Sequence, residues 1–151
     1  MIAKFIRSLG YALKGIKTGI REERNVRIDL VAAFYVFVFS RFYNLTLTQN
    51  VILVLICFFV LAFELMNTAV ERAVDKPDKE HYMQAGQAKD TAAGGVLLAA
   101  TGAVIAGVML FWNVEVFKEI FNFFMTKPLM LVCLIATLFV SYKFITYDNK
   151  R

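Results

Sequence analysis

Four long apolar runs constrain this chain more than any other feature of its sequence. They cover residues 30–47, 51–74, 91–112 and 128–147. Each run has roughly 18–24 residues, which as an α-helix is long enough to cross about 30 Å of hydrocarbon. Hydrophobic residues make up 59% of the chain, whereas a soluble domain contains about 45–50%. The sequence therefore predicts an all-α membrane protein, with four transmembrane helices in one domain of residues 1–151.

A further helix is predicted before the first apolar run. Within residues 2–21, apolar side chains recur at i, i+3 and i+4, as in Ile2, Phe5, Ile6 and Leu9, and Lys or Arg occupies positions between them. This pattern is typical of a helix that lies in the membrane interface. A cytosolic helix that packs on a partner has the same pattern. We favour the interface because a spanning run follows directly.

The distribution of Lys and Arg predicts the orientation and the charged partners. The net charge is +5, and the cations cluster beside apolar runs, which favours anionic lipid headgroups and phosphates over nucleic acid. Of the 17 Lys and Arg residues, 14 lie in the N-terminal segment, in the 72–90 region or in the tail. The other three lie in the loops at 41–50 and 113–127. We therefore expect cytoplasmic termini, a cytoplasmic loop near 75–90 and two outward loops.

The second run carries a carboxyl group at membrane depth. Residues 51–63 are thirteen consecutive apolar residues, about 20 Å of helix, and Glu64 follows them. We expect its side chain to lie about 10 Å inside the hydrocarbon, where a carboxyl group costs on the order of 2.5–3.5 kcal/mol. A folded chain rarely keeps such a group without a function or a partner.

Four further polar residues share the helix face of Glu64. At 100° per residue, Asn67, Thr68, Glu71 and Asp75 lie within about 60° of it. The five residues descend from the membrane interior to the cytoplasmic surface. There, one or two carboxylates can hold a divalent cation bound to phosphates. A proton or ion pathway and a structural polar seam fit the same face, and the residues alone leave these alternatives open.

Three other polar clusters each have an ordinary structural interpretation. Lys89, at the cytoplasmic start of the third run, can hold a phosphate, but Asp90 beside it can also be the N-cap of a helix. The charged segment at 22–25 is, taken alone, expected to be a solvated charge run. The single histidine, His81, cannot form a zinc site alone and is expected on a surface loop. Small residues recur through the third run, which predicts a central helix in a bundle or oligomer.

Four segments together resemble the bacterial integral-membrane diacylglycerol kinase and undecaprenol kinase family. They are Phe-Glu-Leu-Met-Asn-Thr-Ala-Val-Glu-Arg-Ala-Val-Asp at 63–75, Ala-Lys-Asp-Thr-Ala-Ala-Gly at 88–94, Gly-Tyr-Ala-Leu-Lys-Gly at 10–15 and Glu-Arg-Asn at 23–25. The resemblance covers a core of about 4–112. The family has no counterpart for the fourth run. In addition, His81-Tyr82 reverses the Tyr-His order that some members have at this place.

The resemblance implies a compact homotrimer in the bacterial plasma membrane that transfers the γ-phosphoryl group of Mg-ATP to a lipid alcohol. By position, Glu64 matches the general base, Glu23 and Glu71 match the carboxylates that hold Mg²⁺, and Asn67 and Asp75 match supporting polar residues. The positions that match nucleotide contacts are Lys4, Tyr11, Glu23, Glu71, Glu80, His81, Tyr82, Lys89 and Asp90.

One activity is expected, and two alternatives to it stay open. The Glu-Arg-Asn segment at 23–25 is similar to members from Gram-positive bacteria, which resemble undecaprenol kinases, so we expect undecaprenol as substrate and undecaprenyl phosphate as product. Diacylglycerol, giving phosphatidic acid, is the alternative. A non-enzymatic transporter or channel subunit with Glu64 as its proton relay is the alternative from another functional class.

Overall fold

The described residues form a helical membrane protein. The computed structural model describes residues 1–75 and 82–147, with the backbone alone for Tyr82. Within these ranges all regular structure is helical, as predicted. The helices are α1 (Ile2–Glu22), α2 (Arg24–Ser40), α3 (Leu47–Val74), α4 (Tyr82–Phe111), α5 (Val114–Thr126) and α6 (Pro128–Thr146).

Three of the described helices, α3, α4 and α6, are long and apolar enough to cross a membrane. They correspond to the last three predicted runs. The first run differs from the prediction, because α2 begins at Arg24 and ends at Ser40 rather than covering 30–47. Its 17 residues give about 26 Å of helix, slightly less than the hydrocarbon thickness of about 30 Å.

Local polar groups explain where α2 ends and α3 begins. Residues 41–44 form a turn in which Asn44 has a φ of 38°, a left-handed conformation that asparagine tolerates better than most residues. The side chain of Thr46 then accepts a hydrogen bond from the Gln49 backbone, and the Gln49 side chain accepts one from the Thr46 backbone. This capping box starts α3 four residues before the predicted run.

The predicted outward loop at 113–127 is a helix instead. The Asn113 side chain accepts hydrogen bonds from the backbone N–H groups of Glu115 and Val116, at 3.0 and 3.3 Å. These bonds satisfy donors that the first turn of α5 would otherwise leave free. Aromatic rings then attach α5 to the turn after α2, as in the Tyr43–Phe117 pair.

Helix α4 begins earlier than predicted and packs on α3 more extensively than any other described pair of helices. Because α4 starts at Tyr82, Asp90 lies inside the helix, and the interpretation of Asp90 as an N-cap is wrong. A Cβ atom added at Gly95 would lie 3.3 Å from the Phe63 ring. Gly95 therefore allows the close approach of α3 and α4 that the small residues predicted.

Ion pairs gather four helix ends at one end of the bundle, which we call the polar end. Arg72, in the last turn of α3, contacts Glu22 and Glu23 at the junction of α1 and α2, with N–O distances of 3.2 and 2.8 Å. Lys89, near the start of α4, contacts Asp75 just after α3, at 2.9 Å. The end of α3 and the start of α4 therefore lie at the same end of the bundle as the junction of α1 and α2.

Helix α6 is attached to α2 through a buried arginine. The Arg27 side chain, 6% exposed, donates hydrogen bonds to the Phe144 carbonyl oxygen at 3.2 Å and to that of Tyr147. Farther along both helices, the hydroxyls of Tyr35 and Ser141 lie 3.2 Å apart. Arg27 thus satisfies carbonyls at the C-terminus of α6 and brings this terminus to the polar end.

Most of α1 extends away from the other helices. Its large apolar residues are exposed, from 76% at Ile2 to 45% at Ile16. Only Gly19, near the end of α1, is buried, and a Cβ atom there would come within 2.4 Å of the Leu65 side chain. An amphipathic helix whose apolar face the described chain leaves open has the form expected in a membrane interface.

We expect Arg27→Met to destabilise the packing of α6. The substitution removes two hydrogen bonds from a buried charged group, and a hydrogen bond to a charged group contributes about 1.5–3 kcal/mol. Thermal unfolding in detergent, followed by circular dichroism, should show a midpoint several degrees lower. Lys118→Met is the control, because it removes an exposed pair with Glu115 that contributes little. Equal midpoints for the two variants would contradict the role of Arg27.

Candidate functional site

The polar face of α3 passes from a buried to an exposed environment, as predicted. Glu64, Thr68 and Asn67 are 4%, 6% and 8% exposed. Glu71 is half-buried and Asp75 is exposed. The same face thus carries a carboxyl group excluded from water and, about two and three helical turns farther on, carboxyl groups that solutes can reach.

Asn67 orients the carboxylate of Glu71. Its Nδ2 donates a hydrogen bond to Glu71 Oε1 at 3.1 Å. Its Oδ1 is buried and has no hydrogen-bond partner in the structure. A buried oxygen without a donor is costly, and here it lies beside a carboxylate. Two neighbouring side chains therefore present oxygen atoms that a hard cation can use.

Lys89 lies within reach of the carboxylates of α3. Its Nζ donates a hydrogen bond to Asp75 Oδ1 at 2.9 Å, and the Glu71 carboxylate also interacts with it electrostatically. The Lys89 side chain is 37% exposed and that of Asp75 is 64% exposed. A pair this exposed exchanges partners readily, so Lys89 can pass from Asp75 to an incoming phosphate.

Glu23 reaches the site through Arg72. The Glu23 carboxylate accepts a hydrogen bond from Arg72 at 2.8 Å, and Arg72 directly follows Glu71 in α3. Glu23 is the N-cap residue of α2, with an extended backbone (φ −102°, ψ 122°). Because the chain is extended at this break between α1 and α2, the Glu23 side chain reaches Arg72 on α3. The structure therefore brings Glu23 close to the end of the polar face.

Asp29 belongs to this environment, although the sequence did not single it out. It lies on α2, half-buried, and its carboxyl group is close enough to that of Glu64 to interact electrostatically. Like charges in an apolar environment repel strongly. The proximity depends on the packing of α2 against α3, and the only local signal was an acidic residue directly before an apolar run.

Other predicted residues are not brought to this site by the described contacts. Lys4 and Tyr11 are exposed on α1, and within the described ranges neither forms a hydrogen bond or an ion pair with α3 or α4. Asp90 is exposed on α4. Glu80 and His81 lie outside the described residues, as does the side chain of Tyr82. The assignments of these six residues stay predictions.

The donors present fit a magnesium ion that arrives with phosphates. Among the described residues, no group of three His, Cys, Asp or Glu side chains could hold a metal ion alone. Mg²⁺ usually takes one or two carboxylates and fills its remaining positions with water and substrate phosphates. Glu71 with the free Asn67 oxygen, and Glu23 after release from Arg72, match that requirement.

An open cleft leads to Asn67 from the side of the bundle. It lies between α3 and α4, has a volume of about 490 Å³, and includes Gln87 and Thr91 in its lining with Met66 and Val70. The cleft therefore combines an apolar wall with a few polar groups, which suits an amphiphilic molecule.

Comparisons with known proteins agree on one family. Residues 10–111 match the family model for prokaryotic diacylglycerol kinase. The chain is 33% identical to the undecaprenol kinase of Bacillus subtilis (strain 168), over 72% of this chain and 88% of that protein. It is 29% identical to the diacylglycerol kinase of Escherichia coli (strain K12), over 73% and 90% of the two chains.

A third relative is the diacylglycerol kinase of Synechocystis sp., which is 37% identical over 66% of this chain and 58% of that protein. The family match includes α2, α3 and α4 and ends where α4 ends, so α5 and α6 lie beyond it. The chain belongs to the prokaryotic diacylglycerol kinase family and is a membrane-bound lipid kinase.

Proposed function

We propose that this protein transfers the γ-phosphoryl group of Mg-ATP to the hydroxyl of undecaprenol, giving undecaprenyl phosphate. One observation carries the proposal most strongly. Glu64 is buried in α3, and the Glu71–Asn67 and Asp75–Lys89 pairs lie beyond it on the same face, toward the polar end. Along α3, Glu71 is about 10 Å from Glu64. This spacing lets one group meet a lipid hydroxyl while the others meet a nucleotide.

In the proposed reaction, Glu64 accepts the proton of the lipid hydroxyl. The hydroxyl oxygen then forms a bond to the γ-phosphorus, and the bond from this phosphorus to the β–γ bridging oxygen breaks, so that ADP leaves. Phosphoryl transfer depends mainly on positioning and on charge stabilisation. Burial of Glu64 suits a proton acceptor that must act on an alcohol without competition from water.

The groups at the polar end stabilise the charge of the phosphates. Glu23 and Glu71, with the Asn67 oxygen, are proposed to hold the Mg²⁺ that accompanies ATP. That ion would neutralise charge on the transferring phosphoryl group. Lys89 is proposed to move from Asp75 to the γ-phosphate, where a Lys acts as a point charge. The remaining proposed nucleotide contacts are Lys4, Tyr11, Glu80, His81, Tyr82 and Asp90.

We further propose a homotrimer in the plasma membrane with the polar end in the cytoplasm, where ATP is available. Only Val26 and Leu53 are buried apolar residues within the described ranges, so a single chain buries little apolar surface. On α4, a Cβ added at Gly94 or Gly102 would meet no atom of another helix within 4 Å. These open positions permit close contact with a helix of another copy.

Undecaprenol is favoured as the lipid by the Glu-Arg-Asn segment at 23–25 and by the Bacillus subtilis relative, which is named an undecaprenol kinase. Diacylglycerol is the second candidate, because the Escherichia coli and Synechocystis relatives are named diacylglycerol kinases. Family membership favours either kinase activity over the transporter or channel subunit.

The direct test compares the two lipids with purified protein. Undecaprenol and diacylglycerol in matched detergent micelles receive Mg-ATP labelled at the γ-phosphate, and labelled lipid is separated by thin-layer chromatography. We expect a higher kcat/KM for undecaprenol, with no labelled lipid when the alcohol is omitted. A higher value for diacylglycerol would reject undecaprenol as the preferred substrate, and no labelled product with either lipid would reject the proposed activity.

We also expect Glu71→Gln and Glu23→Gln to weaken metal use. Each removes one charged oxygen ligand, so the Mg²⁺ concentration for half-maximal activity should rise about tenfold or more. Glu22→Gln is the matched control, since Glu22 also contacts Arg72 but is not a proposed ligand. The measurement is a magnesium titration at fixed ATP. Curves that coincide with that of the control would remove Glu71 and Glu23 as ligands.

A further inference from the structure

An apolar cavity includes in its lining Asp29, which interacts electrostatically with the proposed catalytic carboxylate of Glu64. This central cavity lies between α2, α3 and α4 and has a volume of about 280 Å³. Asp29 is its one charged lining residue, and Ala33, Val60 and Ala103 are among the apolar ones. The cavity is therefore acidic at one end, where Asp29 interacts electrostatically with Glu64, and its other lining residues are uncharged. That form matches a molecule with a hydroxyl head and a hydrocarbon tail.

A second cavity continues from the first one away from the polar end. This aromatic pocket has a volume of about 400 Å³ and no charged lining residue. Val36 and Phe111 line both cavities, so the two adjoin each other at these side chains. The aromatic pocket ends against α5, where Phe117 and Ile120 line it.

Aromatic contacts fix the wall of the pocket at this end. The Tyr43 ring lies 4.9 Å from the Phe111 ring and 6.5 Å from the Phe117 ring, measured between centroids. Both pairs are edge-to-face, a favourable geometry for aromatic rings. Because α5 begins at Val114, beyond the family match that ends at 111, this end of the pocket is formed partly by residues outside the shared family region.

The combined length of the central cavity and the aromatic pocket indicates how long an occupant of both must be. From Asp29 to Phe39, α2 rises by about 15 Å, and Tyr43 lies farther still. Half of a hydrocarbon core of about 30 Å is likewise about 15 Å, and the sequence predicts a depth of about 10 Å inside that core for Glu64, the neighbour of Asp29. At that predicted depth, the aromatic pocket would lie beyond the bilayer midplane, past the ends of the acyl chains of the cytoplasmic leaflet.

We propose that the aromatic pocket holds the distal part of a long polyisoprenoid chain, and that Phe117 and Ile120 make the enzyme selective for chain length. This inference rests on the proposed function and specifies the lipid class of the same site. The chain runs through the central cavity with its hydroxyl at Glu64. A diacylglycerol or a short prenol fills the central cavity and leaves the aromatic pocket to other apolar molecules.

The test compares undecaprenol with farnesol, whose short chain stays in the central cavity. Ile120→Trp fills the aromatic pocket, and we expect it to lower kcat/KM for undecaprenol by about tenfold or more, while kcat/KM for farnesol changes by less than about twofold. Phe117→Ala enlarges the pocket and should also reduce the preference for undecaprenol. Met125→Trp is the control, because Met125 lies on α5, is 63% exposed and does not line the pocket.

The outcomes separate this inference from the proposed function. If the unmodified protein phosphorylates neither prenol, the proposed function fails. If it phosphorylates both and Ile120→Trp leaves their ratio of kcat/KM at that of Met125→Trp, the chain-length inference fails. A photoreactive group at the distal end of a long prenol should label the peptide that contains residues 114–126. The contrary result is that the photoreactive prenol does not label this peptide, while an Ile120→Cys variant forms a disulfide between two copies of the chain. That result would mean that a second copy, and not the lipid, occupies the pocket.

Discussion

The buried carboxylate of Glu64 is the constraint on which the site depends. An ionisable group at this depth costs on the order of 2.5–3.5 kcal/mol, and the neighbouring carboxylate of Asp29 adds repulsion. The chain accommodates both where α2 packs against α3, while Gly19 lets the end of α1 approach Leu65. The helices thus enclose a group that a merely structural bundle could replace with an apolar residue at lower cost.

The remaining polar residues are separated from Glu64 by the geometry of one helix. Glu71 and Asp75 lie about 10 Å and 16 Å farther along α3, where they form hydrogen bonds with Asn67 and Lys89. This separation gives a hydrophobic alcohol and a highly charged nucleotide different environments within one site. Arg27 also brings α6 to the polar end, because it attaches the end of that helix to the start of α2.

Patterns within one helix could be predicted from sequence, and contacts between helices could not. The amphipathic period predicted α1 at 2–21, and the 100° rotation per residue predicted the face of Glu64, Asn67 and Glu71. The start of α3 and the helix α5 were missed, because they depend on caps at Thr46 and Asn113. Asp29 was missed because its proximity to Glu64 depends on packing. The resemblance supplied Glu23 and Lys89, and the ion pairs of the polar end then showed how they reach α3.

The most direct test of the account is the turnover of Glu64→Gln. This substitution keeps the size and polarity of the side chain and removes only its ability to accept a proton. With undecaprenol and Mg-ATP, we predict that kcat falls by about 10²–10⁴-fold, while the affinity for a fluorescent ATP analogue stays within about twofold. Thr68→Val, a buried change on the same face, should retain most of the activity. Turnover of Glu64→Gln close to that of the unmodified protein would contradict the role of Glu64 as the proton acceptor.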